Sequence, residues 1–157
     1  MFNFYSAAGL IFGNETSLNS CSQIIDILGK NIFVVSDRGL TELGLLEPTI
    51  KKLKKNCNVK IFNNVESDPS KKTLLSAFSD AREFESTGVL GFGGGSSMDV
   101  AKLVSLLLGS NQHIETIWGV NNAKGPRLPL VLIPTTAGTG SEVTPISIIT
   151  MDDKEKK

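Results

Sequence analysis

Three consecutive glycines, Gly93, Gly94 and Gly95, constrain this sequence more than any other feature. The apolar residues before them predict a short buried strand, and the apolar-periodic residues after them predict a helix. Such a glycine run permits a tight turn that residues with side chains would not adopt. We therefore predict a strand, a glycine loop and a helix, with Ser96 as the helix N-cap and Asp99 reaching back to it as in a capping box.

A turn of this kind points free backbone N–H groups and the positive end of a helix dipole at one place, which suits a phosphate or pyrophosphate group. The alternative is that the glycines only allow the helix to pack closely against the sheet. The loop matches neither standard phosphate-binding motif. G-x-G-x-x-G fails because Ser96 or Met98 stands at its last glycine, and G-x-x-x-x-G-K-[ST] fails because Ile24 stands at its first glycine.

The composition narrows the class of protein. The chain has 157 residues, a length typical of one domain with a substantial core. Lys plus Arg and Asp plus Glu number 16 each, which argues against a nucleic-acid or membrane partner. Cys21 and Cys57 are too few for a disulfide framework and predict reduced thiols. Neither a signal peptide nor an apolar run of membrane-spanning length occurs, so we expect a cytoplasmic protein.

Hydrophobic periodicity predicts helices that alternate with strands. The predicted helices are residues 16–28, 46–55 and 69–82, the helix after the glycine loop, and a short helical turn at 114–118. The predicted strands are residues 32–35, 59–62, 89–92 and 130–133, with further strands at 10–12 and 146–150. This alternation predicts an α/β fold with a doubly wound, mostly parallel sheet and helices on both faces.

Three loops are expected to converge on one crevice, because ligands of such sheets bind outside the carboxyl ends of the strands. Asp37 follows one strand, the glycine loop follows another, and a loop with Thr135, Thr136 and Thr139 follows a third. Each has a plainer alternative. Asp37 could cap the turn before Arg38, and the threonine hydroxyls could bond their own backbone.

Two segments resemble the signature segments of the iron-containing (group III) alcohol dehydrogenases. They are residues 93–102, GGGSSMDVAK, and residues 133–144, IPTTAGTGSEVT. Shorter matches are Val35-Ser36-Asp37, Gly44-Leu45-Leu46, and Asp68-Pro69 where the family usually has Asn-Pro. The resemblance extends over nearly all of the chain.

The resemblance implies that residues 1–157 form a Rossmann-like, dinucleotide-binding N-terminal domain. The glycine turn would hold the cofactor pyrophosphate, Asp37 would bond the adenosine ribose, and the threonines would line the phosphate and nicotinamide side. A carboxylate at Asp37 favours NAD over NADP, whose 2′-phosphate it would repel. The residues assigned to the cofactor are Asp37, Gly93, Gly94, Gly95, Ser96, Asp99, Thr135, Thr136, Thr139 and Lys157, the last matching a family lysine.

In the family, an aspartate and three histidines of a helical C-terminal domain hold the metal, iron or zinc. That domain is absent from this chain, which contains a single histidine, His113. One imidazole without carboxylate or thiol neighbours makes no such site, so we expect His113 to be a surface or loop residue. We therefore expect a piece of a longer enzyme that carries no metal ligands or catalytic residues and is inactive alone.

The parent enzyme is expected to transfer hydride between NAD(P) and a small alcohol or aldehyde, with a divalent metal as Lewis acid. The substrate, the metal and a homo-oligomeric state stay open. The family's fold also occurs in polyol dehydrogenases and non-redox synthases, but the segment TTAGTGSE favours the alcohol dehydrogenases. The alternative is a stand-alone nucleotide-binding module without catalysis. A serine hydrolase fits poorly, since no G-x-S-x-G elbow occurs.

Overall fold

The structure is a computed structural model that describes residues 6–151. In this part of the chain the helices are α1 (Thr16–Asn19), α2 (Cys21–Leu28), α3 (Arg38–Glu42), α4 (Glu47–Leu53), α5 (Lys71–Glu83) and α6 (Gly95–Gly109), with a 3₁₀ turn at Ile114–Thr116. The strands are β1 (Asn31–Val35), β2 (Asn58–Phe62), β3 (Gly88–Gly93) and β4 (Leu130–Pro134).

The four strands form one parallel sheet in the order β2-β1-β3-β4. β1 pairs with β2 and with β3, so that Ile32 lies opposite Val59 on one side and Gly88 on the other. β4 pairs with the free edge of β3. Because all four strands are parallel, their carboxyl ends meet at one edge of the sheet, and the loops that follow them lie together there.

Helices cover both faces of the sheet, because successive side chains of a strand point to opposite faces. Phe33 and Val35 of β1 pack in one core cluster with residues of α5 and α6. Ile32 and Val34 pack in a second cluster with residues of α2 and α4. All four of these β1 side chains are fully buried. The prediction of a doubly wound α/β sheet is confirmed.

The helix boundaries follow local sequence signals. The predicted helix at 16–28 forms two helices, α1 and α2, that meet at Ser20. α4 carries Pro48 in its first turn, where the missing N–H costs no helical hydrogen bond. α5 begins after the N-cap Ser70, whose hydroxyl accepts from the Thr73 amide at 3.2 Å. The predicted turn near residue 114 is the 3₁₀ turn.

Two predicted strands are wrong. Residues 10–12 are irregular, and Phe12 is 97% exposed, since no neighbouring strand in the described chain pairs with them. Residues 146–150 contribute only a single bridge between Thr150 and Ser70. Their apolar alternation predicted a strand, but side chains of α6 bind the backbone of this segment instead.

Both cysteines are free thiols, as predicted. Burial raises the pKa of each thiol above its ordinary value. The sequence contains no apolar run of membrane-spanning length, and within residues 6–151 every helix is too short or too polar to cross a bilayer.

Candidate cofactor crevice

An open crevice of about 880 Å³ lies outside the carboxyl ends of the strands. β1 and β3 are neighbours, but the chain leaves β1 toward α4 on one face and leaves β3 into α6 on the other. This divergence is a topological switch point, where open α/β sheets bind ligands. The sequence-predicted residues that line the crevice are Asp37, Gly94, Gly95, Ser96, Thr135 and Thr136.

The glycines of β3 and its loop serve two different purposes. A Cβ at Gly91 would lie 2.7 Å from a Leu132 methyl and 2.8 Å from the Ala101 Cβ, so Gly91 lets α6 pack on the sheet. A Cβ at Gly93 would lie 2.7 Å from Ser97 Oγ. At Gly94 and Gly95 the distances are longer, since a Cβ there would meet its nearest protein atom at 3.3 and 3.6 Å, respectively. Close packing therefore explains Gly91 and Gly93, but not Gly95.

The N-terminus of α6 opens into the crevice without a side-chain cap. Gly94 is the N-cap, in an extended conformation, and the helix begins at Gly95. Ser96 is therefore the second helical residue, and the prediction that it caps the helix is wrong. The first-turn amides of a helix have no intrahelical acceptor, so this 15-residue helix presents N–H groups and a positive dipole end there.

The predicted capping box of Asp99 is also wrong. With the helix starting at Gly95, Asp99 lies in the second turn, its buried carboxylate bonds Ser141 and Ile148, and it is not among the residues that line the crevice. This geometry gives no support to direct contact between Asp99 and a cofactor. Its neighbour one turn on, Lys102, forms an ion pair with it at 2.9 Å.

Asp37 is held at the crevice by the preceding residue. Ser36 is fully buried, and its hydroxyl donates to the Phe92 carbonyl at 2.7 Å, which ties the end of β1 to β3. Asp37 Oδ1 accepts from the Leu40 amide at 2.9 Å and so caps α3, a helix that the sequence analysis did not predict. The other oxygen, Oδ2, faces Gly93, where a Cβ would lie 3.3 Å away. The capping alternative is therefore met by one oxygen, while the residue still lines the crevice.

The threonine loop lies against the glycine turn. The Thr135 amide donates to the Gly93 carbonyl at 3.0 Å, and Thr136 Oγ1 would lie 3.3 Å from a Cβ at Gly94. The Thr139 hydroxyl has local partners, since it donates to Glu142 at 2.7 Å and accepts from the Ser141 amide at 3.3 Å. That first hydrogen bond lowers the pKa of the Glu142 carboxyl. For the Thr139 hydroxyl, the alternative of local hydrogen bonding is met.

The loop after β2, which was not predicted to belong to the site, supplies a further wall of the crevice. Asn64 Oδ1 accepts from Arg38 Nη2 at 2.9 Å and from Nε at 3.0 Å. Glu66 accepts from the Thr73 hydroxyl at 2.7 Å and the Ser70 amide at 3.0 Å. Desolvation raises the pKa of the Glu66 carboxyl, but these hydrogen bonds outweigh it and leave the pKa below its ordinary value. The position of this loop directly after a predicted strand was the signal that could have indicated it.

The remaining predicted residues lie elsewhere. Gly93 and Thr139 border the turn but are not among the residues that line the crevice. Lys157 lies outside the described residues. His113 is exposed at the start of the 3₁₀ turn. Across residues 6–151, no group of three or more His, Cys, Asp or Glu side chains is placed to hold a metal ion.

The parallel sheet, the helices on both faces and the crevice at the carboxyl edge define a doubly wound, Rossmann-like α/β domain. A family model described as iron-containing alcohol dehydrogenase matches residues 8–157. The chain belongs to the iron-containing alcohol dehydrogenase family.

Individual relatives agree with this assignment. The sulfoacetaldehyde reductase of Bilophila wadsworthia is 32% identical over 149 residues, 94% of this chain and 38% of that protein. The NAD-dependent methanol dehydrogenase of Bacillus methanolicus is 30% identical over 158 residues, 100% of this chain and 42% of that protein. An iron-containing alcohol dehydrogenase from Thermotoga maritima, of known crystal structure, is 38% identical with a TM-score of 0.82, over 96% of this chain and 42% of that one. The chain thus spans about two fifths of each relative.

Proposed function

We propose that this chain is the NAD(H)-binding part of an oxidoreductase that transfers hydride between NAD and a small alcohol or aldehyde. The observation that carries the proposal is the uncapped N-terminus of α6, which opens into the crevice at Gly94 and Gly95, where a Cβ on Gly95 would meet no protein atom closer than 3.6 Å. A phosphate group can approach backbone amides closely only where no side chain intervenes. The NAD-dependent relative supports the choice of cofactor.

Different residues of the crevice would bind the pyrophosphate, the adenosine ribose and the nicotinamide side of the cofactor. The first-turn amides of α6, at Gly95 and Ser96, would bind the pyrophosphate. Asp37 Oδ2, which the Leu40 amide leaves free, would accept from the adenosine ribose hydroxyls. Thr135 and Thr136, across the turn from Gly94, would line the side toward the nicotinamide. When bound, the nicotinamide accepts or donates the hydride, and this chain's residues orient it.

The metal expected of the family has no ligand set in the described chain. We therefore expect the 157-residue chain, with any divalent metal added, to produce no NADH from alcohols, because metal binding requires deprotonated ligands held in a fixed geometry. The measurement is NADH absorbance after purification away from host dehydrogenases. Metal-dependent turnover by this chain alone would contradict the proposal that other parts of the enzyme supply the metal site.

Asp37 is expected to make the protein prefer NAD to NADP. Two unit charges about 4 Å apart repel by roughly 4 kcal/mol at an effective dielectric constant near 20, and solvent screening reduces this to about 1–3 kcal/mol. Since about 1.4 kcal/mol is tenfold, the preference should be roughly one to two orders of magnitude. Asp37→Asn should narrow it by removing the charge while keeping the α3 cap, because asparagine caps as well as aspartate.

The measurement is the Kd of NADH and of NADPH in the full-length protein, for the wild type, Asp37→Asn and Asp37→Gly. The glycine variant removes the cap as well as the charge, so agreement between the two variants would assign the effect to charge. Glu66 remains in the crevice in both variants and limits how far the preference can reverse. A wild type that already prefers NADPH, or a ratio that neither variant moves, would leave Asp37 with its capping role alone.

A further inference from the structure

A buried ion pair on α6 binds a segment that lies outside the crevice. Asp99 Oδ1 and Lys102 Nζ are 2.9 Å apart, and the two side chains are only 12% and 9% exposed. Asp99 also accepts from the Ser141 hydroxyl at 2.6 Å and from the Ile148 amide at 3.0 Å. The Lys102 ammonium donates to three backbone carbonyls, those of Ser141 (3.1 Å), Thr144 (3.4 Å) and Ile146.

These bonds take the place of regular secondary structure. Residues 141–149 form neither a helix nor a strand, although apolar and polar residues alternate over 146–148. A backbone segment must still satisfy its polar groups, and here the ion pair supplies one acceptor and the donors for three carbonyls. Two side chains of α6, a helix whose N-terminus opens into the crevice, thus bind four backbone groups of the segment.

The segment directly follows the threonine loop in the chain. The Ser141 amide donates to Thr139 Oγ1 at 3.3 Å, and the Thr139 Cβ would lie 3.6 Å from a Cβ at Gly95. Gly138 and Gly140 both have positive φ, and a Cβ at either would meet nothing within 4 Å. Packing at these two glycines does not hold the loop. One end of the loop is held by the hydrogen bond from the Thr135 amide to the Gly93 carbonyl of β3, and the other end by the hydrogen bond between Ser141 and Asp99.

We propose that Asp99 and Lys102 are positioning residues for the cofactor site. They fix Ser141 and thereby hold the loop of residues 135–140 over the Gly94 and Gly95 turn. Neither side chain lines the crevice, so both act through the loop and not by touching the cofactor. The proposal rests on the proposed function, in which this turn binds NAD(H).

The first test uses the full chain with Lys102→Met, which keeps an unbranched side chain, one heavy atom shorter, and removes its donors. We expect the Kd of NADH, measured by fluorescence titration, to rise about tenfold, since neighbouring residues couple with effects of roughly twofold to hundredfold. Without NADH, amide hydrogen exchange should quicken in residues 139–148. Lys60→Met is the matched control. Lys60, on β2, also pairs with an aspartate and donates to a backbone carbonyl, but both partners belong to Asp80 on α5 and not to the segment at the cofactor site.

A second variant separates positioning from general stability. Lys102→Met leaves the Asp99 carboxylate buried without its counter-ion, so the double variant Asp99→Asn/Lys102→Met should regain thermal stability. Its affinity for NADH should stay weak, because the three carbonyls still lack their donor. Should the single variant fail to fold, Ser141→Ala removes the link between Asp99 and the loop and should weaken NADH binding in the same direction.

The outcomes separate the two proposals. A wild type that binds no NADH would overturn the proposed function, and this inference with it. Wild-type binding combined with unchanged affinity in the double variant and in Ser141→Ala would overturn the positioning role alone. Recovery of NADH affinity in the double variant, together with its thermal stability, would also show that the ion pair contributes to stability only.

Discussion

Gly95→Asp is expected to weaken NADH binding more than about a hundredfold while the protein stays folded. A carboxylate about 4 Å from a phosphate is repelled by roughly 4 kcal/mol at an effective dielectric constant near 20. With half of this energy left after screening, about 2 kcal/mol, NADH binding weakens about thirtyfold. The aspartate side chain also occupies the space that the phosphate must enter. The loss should therefore be both electrostatic and steric.

The fold should tolerate this substitution. Gly95 lies outside the left-handed region of φ, and a Cβ there meets Thr139 at an ordinary contact distance of 3.6 Å. An aspartate in the first turn of a helix also interacts favourably with the helix dipole, by about 0.3–1 kcal/mol. Circular dichroism should thus match that of the wild type.

Two control variants make the result specific. Gly95→Ala adds only the Cβ and should show an intermediate loss of NADH affinity, which isolates the steric part. Gly9→Asp adds the same charge at a glycine that has no neighbour within 4 Å and does not line the crevice, and it should bind as the wild type does. Native NADH affinity in Gly95→Asp would show that the glycine turn has only a structural role.

Lys102→Met is expected to lower the free energy of unfolding by about 3–5 kcal/mol, the usual cost of leaving one member of a buried ion pair without its partner. Asp99 keeps only the Ser141 hydroxyl and the Ile148 amide in this variant. Urea unfolding of the full chain measures the change. Lys60→Met should cost less than about 1 kcal/mol, because its pair with Asp80 is far more exposed, at 35% and 43%. Equal costs for the two variants would show that the pair on α6 contributes no more than a surface contact.

The elements of the sheet could be predicted from the sequence because each is specified locally. Residues 32–35 are continuously apolar, as a strand covered on both faces requires, and β1 is buried on both faces. The glycine run indicated the turn between β3 and α6, but the expectation that only glycine could adopt it is wrong, because Gly93, Gly94 and Gly95 all lie outside the positive-φ region. Asp37, Thr135 and Thr136 could be placed at one edge because parallel strands end together. The two strands predicted at 10–12 and 146–150 failed because a strand needs a partner, which a local pattern does not reveal.

The sequence by itself thus determined the order of elements and the edge at which the crevice forms, since periodicity and glycine content act over short distances. Only the tertiary structure decided where α6 begins and what Asp99 does. Serine followed by aspartate three residues later is a capping pattern, but the Thr135 amide binds the Gly93 carbonyl, and Gly94 takes the N-cap position. Asp99 is thereby turned toward Ser141, 42 residues along the chain, and contacts at that separation exist only once the chain has folded.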